Sequence, residues 1–357
     1  MRILFISLLT SVLTACQPAP EPLARWALTG NGAYDGDFSQ DGRLAAISGD
    51  PEGIVVWDLD RAAPLYRLVM NPRELSASDL ERDGWTPDER LPAMGLPVVH
   101  VKLSENGDYL VTADQNRLAL WRTSDGQNLG YWHTGERTGA PRVDEPDTSQ
   151  DRSIRDVAVS NGGNFIAYGR ADGVVVHINL GTGRRLEFLG HSEKINAIAM
   201  SANGRYLLSG GNDYRALLWD SQSGQVLRRF DFPNRVTQVA LSSDGRFGFA
   251  ADAMHNANIY DLATGERVSA LQTNDRQDTF SVARFSPDNS YLATGGMGRA
   301  LTLWRLADGS QLSRQRVGVA GKVVPRSAVV YGIGFANDRL YTLSSAGLLE
   351  AWPLEAR

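Results

Sequence analysis

The sequence predicts an all-β protein built as a closed ring of seven four-stranded antiparallel sheets, and three observations lead there. The first is a repeat. An apolar residue placed just before a turn recurs at Phe38, Leu103, Val159, Met200, Leu241, Phe285 and Phe335, and a ring-bearing residue recurs at Trp57, Trp121, His177, Trp219, Tyr260, Trp304 and Trp352. The separations within these pairs are 19, 18, 18, 19, 19, 19 and 17 residues, too constant for chance. The second is local pattern: each unit alternates apolar and polar residues with a period of two, is punctuated by Gly, Asp and Asn, and contains no helical periodicity. The third concerns the ends. The seventh unit stops after its third strand, Leu348 to Trp352, while Leu23 to Leu28 reads as a fourth strand that lacks the other three.

Each element of a unit has its own reason. The first turn reads Gln40-Asp41-Gly42, Glu105-Asn106-Gly107, Asn161-Gly162-Gly163, Ala202-Asn203-Gly204 or Ser243-Asp244-Gly245, which supplies the left-handed residue of a tight hairpin. A later turn runs from Asp to Gly, as in Asp220-Ser-Gln-Ser-Gly224 and Asp261-Leu-Ala-Thr-Gly265, and a strand such as Gln225 to Phe230 follows. One such meander cannot bury both faces of its sheet; stacking seven around an axis does. Pairing the segment at about 23–28 with the C-terminal unit removes the exposed edges that an open ring would leave.

Composition narrows the function. The chain is 42% hydrophobic and 22% charged with a net charge of −5, a globular balance without the basic excess that a general nucleic-acid surface needs. A single cysteine excludes a disulfide framework and any CxxC-type metal or redox site. Its position is informative. Residues 1–15 carry a positive Arg2, an apolar stretch from Ile3 to Leu13 too short to span a bilayer, and Leu13-Thr14-Ala15 directly before Cys16.

Leu13-Thr-Ala-Cys16 resembles a bacterial lipobox. That resemblance implies a signal peptide over 1–15, removed on maturation, lipidation of Cys16, and a tether over 16–22. Gln17 after the cysteine implies the inner leaflet of the outer membrane, facing the periplasm. Residues 23–357 then resemble the WD40 β-propeller family, most fully in the fourth unit: Leu189-Gly-His191, Ser201-Ala-Asn-Gly204, Leu208-Ser-Gly-Gly-Asn-Asp213 and Leu218-Trp-Asp220. The family's hydrogen-bonded structural tetrad falls on His191, Ser209, Asp213 and Trp219. The other units are degenerate. A quinoprotein-like propeller is the competing fold, because its repeats share the Thr-Gly turn; the Trp-Asp strand endings favour WD40.

In the propeller that the resemblance implies, first strands line a central channel and fourth strands form the rim. The insertions, Asn71 to Pro97, Thr134 to Asp151, Gln272 to Thr279 and Arg316 to Ala328, then all join one unit to the next and share one face. Asn71 to Pro97 has six acids against three arginines, and Thr134 to Asp151 five against two. Arg316 to Ala328 carries three cations and no acid. This mixture of acidic and basic sectors suits a dipolar protein partner. Trp85, Arg82, Glu89, Arg142, Lys322 and Arg326 are the candidate partner-binding residues. No catalytic or metal-ligating motif is present: His100, His133, His177, His191 and His255 lack ligand spacing, and there is no nucleophile elbow or P-loop. The expectation is a monomeric, non-enzymatic interaction scaffold without a cofactor. It would bind envelope protein partners rather than nucleic acid and be held to a membrane by its N-terminal lipid. The alternative is a lactonase-like or quinoprotein-like enzyme, or a small-ligand receptor, with a site at the channel mouth.

Overall fold

A computed structural model describes residues 21–49, 53–68, 98–134, 151–273, 279–319 and 327–354. They form seven four-stranded antiparallel sheets. Six are consecutive meanders: blade 1 spans Asp35 to Leu68, blade 2 His100 to His133, blade 3 Ile154 to Leu189, blade 4 Ile195 to Asp231, blade 5 Val236 to Ala270 and blade 6 Phe280 to Arg316. Blade 7 takes three strands from the C-terminal end, Val330–Ala336, Arg339–Ser344 and Leu348–Pro353, and its fourth, Ala24–Ala27, from the N-terminal end. Ala24 lies opposite Ala351 and Ala27 opposite Leu348, the closure anticipated for the segment at 23–28. Arg25 Nε reinforces it with a 2.7 Å ion pair to Glu350, whose carboxylate is fully buried and also accepts from Gly318 N–H at 2.8 Å.

The repeat motif has a hydrogen-bond explanation. At the end of each of the first six first strands stands a buried serine: Ser39, Ser104, Ser160, Ser201, Ser242 or Ser286. Its hydroxyl accepts the backbone N–H five residues on, from Leu44, Tyr109, Phe165, Tyr206, Phe247 and Tyr291 at 2.8–3.2 Å. In four blades the hydroxyl donates in turn to the turn residue Asn106, Asn203, Asp244 or Asp288. The residue after the third-strand ring-bearing residue, Trp219 in blade 4 and Tyr260 in blade 5, works similarly. Asp220 accepts from Gln222 and Ser223 N–H, and Asp261 from Ala263 and Thr264 N–H, which closes the turn into the fourth strand. These backbone bonds pull both carboxyls below their ordinary range. Glycine is needed at Gly204, where φ is +73° and a Cβ would collide with the Phe165 ring of the preceding blade. Blade 6 meets the same left-handed requirement with Asn289 at φ 57°.

Packing between blades supplies the core. Seven apolar clusters are present among the described residues, one at each junction between neighbouring blades. The cluster containing Phe38, Trp57, Tyr341 and Leu349 joins blade 7 to blade 1 and shuts the ring. Trp219, Trp304 and Trp352 are among the largest fully buried side chains. Residues 1–20, with Cys16 and most of the tether, lie outside the described residues, as do Trp85, Arg82, Glu89, Arg142, Lys322 and Arg326.

Candidate functional site

Two places bring polar side chains together in the interior, the channel and the third-strand tryptophans. The channel follows from the first strands. The residues one and three positions before each apolar marker lie on the side that faces the next blade, where Ala158, Ala197, Ala240 and Val282 join the inter-blade clusters, and in blades 1, 2, 3 and 6 they include Asp35, Asp37, His100, Lys102, Asp156 and Arg284. Most of this polarity is spent on joining blades. Asp35 and Asp37 accept Val101 and Leu103 N–H of blade 2 at 2.8 and 3.1 Å, and Asp156 accepts Ile198 N–H of blade 4 at 2.8 Å. Asn196 donates to Val236 O of blade 5, and Ser281 donates to Val330 O of blade 7. Arg284 of blade 6 reaches past blade 7 to blade 1, donating to Asp37 Oδ1 and Phe38 O at 2.7 Å and to Gln40 Oε1 at 2.9 Å. Blade 7 presents Gly332 and Gly334 there; a Cβ at either would strike Gly36 or Phe38.

Charge in the channel is consistent with this joinery. Burial pushes the Asp35 carboxyl up to about 7, with Lys102 acting against the shift. Burial alone would lower the Lys102 ammonium, but the charges of Asp37, Asp156 and Asp35 outweigh it and raise the group. Burial lowers the His100 imidazole, with the charge of Asp156 acting against it. Among the described residues, no three His, Cys, Asp or Glu side chains are grouped so as to hold a metal ion. Sequence reasoning missed this network. Its signal was there: charged residues at first-strand positions where other blades place small or apolar residues, such as Ala158, Ala197, Ala240 and Val282.

The second place is the fourth blade, where His191, Ser209, Asp213 and Trp219 meet. Trp219 Nε1 donates to Ser209 Oγ at 2.8 Å, His191 Nε2 lies 2.8 Å from the same oxygen, and His191 Nδ1 lies 2.8 Å from Asp213 Oδ1. An ionised Asp213 only accepts, so Nδ1 carries the proton and Nε2 accepts from the Ser209 hydroxyl. Burial works to raise the Asp213 carboxyl, but the hydrogen bonds from His191 and the Ser192 N–H leave it lowered overall. Gly190 is required beside His191, because a Cβ would enter the Trp219 ring. All four side chains are at least nine-tenths buried, so the arrangement ties the loop before blade 4 to that blade's centre and has no open face for a substrate.

The other blades show how this arrangement decays. Trp121, Trp304 and Trp352 donate to Thr112, Thr294 and Thr342 at 2.8–3.0 Å. Where the third-strand residue is not tryptophan, the acceptor is gone as well: His177 and Tyr260 stand ten residues after Ala167 and Ala250. Blade 1 breaks the correlation. Ile47 occupies the acceptor position, and among the described residues the buried Trp57 Nε1 has no hydrogen-bond partner.

Residues 183–220 and 265–305 match the family model WD40, WD domain, G-beta repeat. The first match runs from the last strand of blade 3 through the third strand of blade 4, and the second covers the same stretch of blades 5 and 6. No curated protein matches the chain. The fold thus defines an all-β seven-bladed propeller with four-stranded blades. Two stretches of it match the WD40 repeat, a module whose common use is as a scaffold for protein interactions.

Proposed function

We propose that the protein is a lipid-anchored periplasmic scaffold that binds protein partners, without catalysis, through the face carrying the inter-blade loops. The observation that carries this reading is the asymmetry between the two faces. Turns joining first to second and third to fourth strands hold five residues or fewer. The long connections, 69–99, 134–153, 271–279 and 317–329, all run from the fourth strand of one blade to the first of the next. Antiparallel order puts those connections on one face and the short turns on the other. Such a one-sided elaboration is the pattern of a recognition surface on a rigid support. The N-terminal strand supports an orientation. Ala24 begins it on the short-turn face and Ala27 ends on the loop face, so a tether from Cys16 would leave the loops pointing away from the membrane. The channel supports the non-enzymatic half, since its charged groups are largely engaged in bonds between blades.

The test places a photocrosslinking residue within 71–97 of the full chain in intact cells, followed by mass spectrometry of the adducts. Discrete protein adducts are expected. Recovery of no protein, together with a metabolite retained by the purified chain, would overturn the scaffold. For the anchor, Cys16→Ala is expected to release the protein from membranes, and unchanged retention would refute lipidation as the tether.

A further inference from the structure

The exposed large apolar side chains are not scattered evenly. Leu189, Tyr214, Met254 and Met297 are 50–77% exposed, and blades 3, 4, 5 and 6 hold one each. Leu189 ends a fourth strand and the other three sit in turns between second and third strands, so antiparallel order puts all four on the loop face. Single surface apolar residues need no explanation; a run over four consecutive blades of one face does.

Backbone geometry sets Tyr214 apart. The last residue of that turn is left-handed in blades 3 and 7, where it is Gly173 at φ 86° and Gly347 at φ 72°. Blade 4 has Tyr214 in the same place at φ 67°, a conformation that disfavours any residue with a Cβ, and half of that residue faces solvent. Such strain at an exposed ring points to recognition rather than folding.

Positive charge gathers on the same sector. Arg155 is the second residue of the first strand in blade 3, and Lys194 and Arg235 directly precede the first strands of blades 4 and 5, at the inner edge of the loop face. Backbone bonds tie two of them to the apolar turns. Lys194 O accepts Asn212 N–H, two residues before Tyr214, and Arg235 O accepts Ala253 N–H, the residue before Met254. Burial and the charges of Arg155 and Arg235 lower the Lys194 ammonium, against the opposing acid Asp151. Other cations of the sector are taken up by acids: Arg152 pairs with Asp172, and Arg215 and Arg229 with Asp231.

We propose that this sector, given the loop-face reading above on which it rests, docks an acidic segment of a partner protein. The segment's carboxylates lie over Arg155, Lys194 and Arg235, and its apolar side chains lie against Leu189, Tyr214, Met254 and Met297. A conformationally fixed tyrosine among adaptable methionines suits apolar anchors, and guanidinium groups bind carboxylates through paired hydrogen bonds. An anionic membrane fits less well, because Asp151 and the exposed Glu193 stand among the cations and a uniform negative plane would repel them.

The test selects a displayed library of random peptides on the purified full chain and measures the enriched peptides by fluorescence anisotropy. They should combine Asp or Glu with large apolar residues and bind more weakly as salt is added. Arg155→Glu combined with Arg235→Glu, and separately Met254→Ser, should each weaken them about tenfold or more. Tyr214→Gly should weaken them similarly without lowering the melting temperature, because it relieves the left-handed strain; a purely structural tyrosine would show the reverse. Melting temperatures of the other variants report whether they have folded. No enrichment, enrichment of neutral or basic peptides, or undiminished binding by the folded variants would overturn the site. So would pelleting of the Cys16→Ala chain with phosphatidylglycerol vesicles, or its dimerisation in sedimentation, if these variants abolished it; the face would then meet a membrane or a second copy. Protein adducts from 71–97 would survive each of those results, so the two readings fail separately.

Discussion

His177 occupies the place that tryptophan takes in five of the seven blades, and replacing it should change how stability depends on pH. The imidazole is stacked between Phe165 and Phe188, at centroid distances of 5.4 and 6.0 Å, and the residue is 3% exposed. Among the described residues neither ring nitrogen has a hydrogen-bond partner. Burial, assisted by the charge of Arg184, pushes its pKa from 6.5 down to about 4. Below pH 6.5 the unfolded chain therefore takes up a proton that the folded chain refuses. Stability contributed by the neutral ring is complete above 6.5, declines as the pH falls, and is exhausted near 4. At 1.36 kcal/mol per pKa unit, the loss by pH 4 is about 3 kcal/mol. His177→Phe keeps an aromatic ring in the stack and cannot titrate. Urea unfolding of both proteins between pH 7.5 and 4 should show the variant gaining about 3 kcal/mol on the wild type. Asp35 acts in the opposite sense: its raised pKa favours the folded state at low pH and withdraws that support as the pH rises through about 7. It is common to both proteins and cancels in the difference. Parallel pH profiles would refute the reasoning.

Three further outcomes follow from the same hydrogen-bond reading. Ile47→Thr should give Trp57 Nε1 its missing acceptor, so although both changes trim a fully buried side chain, Ile47→Thr should unfold at higher urea than Ile47→Val, by about 1 kcal/mol. Ser209→Ala strands both Trp219 Nε1 and His191 Nε2 and should cost roughly 2–4 kcal/mol; Thr294→Ala strands only Trp304 and should cost about half that by the same assay. Arg25→Ala leaves the buried Glu350 carboxylate with the Gly318 N–H alone, and should lower stability by about 2–3 kcal/mol as followed by thermal unfolding. A loss below 0.5 kcal/mol there would mean that this ion pair adds little to the clasp.

Much of the ring was legible because its causes are local. The Ser before the turn in six blades, the Asp or Asn two residues later in five of them and the Trp near the end of the third strand in five blades all act within one blade, so their spacing survives as a pattern in the chain. The four residues of the blade 4 arrangement lie within twenty-nine positions of one another and could be located by motif. The pairing of Ala24–Ala27 with Leu348–Pro353 crosses the whole chain, yet it too could be anticipated, because an unpaired strand at one end and a blade short of a strand at the other allow few solutions.

What lay beyond reach were contacts between units distant in sequence and close across the axis. Arg284 and Asp37 are separated by 247 positions, and nothing around either names the other. Their meeting depends on blade 7 offering Gly332 and Gly334 between them, a matter of space rather than of pattern. A cavity of about 110 Å³ in blade 6 likewise includes Gly298 in its lining, where a Cβ would meet nothing within 4 Å. Repetition in the sequence determined the number of blades, their turns and the closure, since short-range hydrogen bonds and alternation leave a periodic record. Only the tertiary structure decided which first-strand charges pair and where a cavity opens, because those depend on distances through space that linear order does not encode.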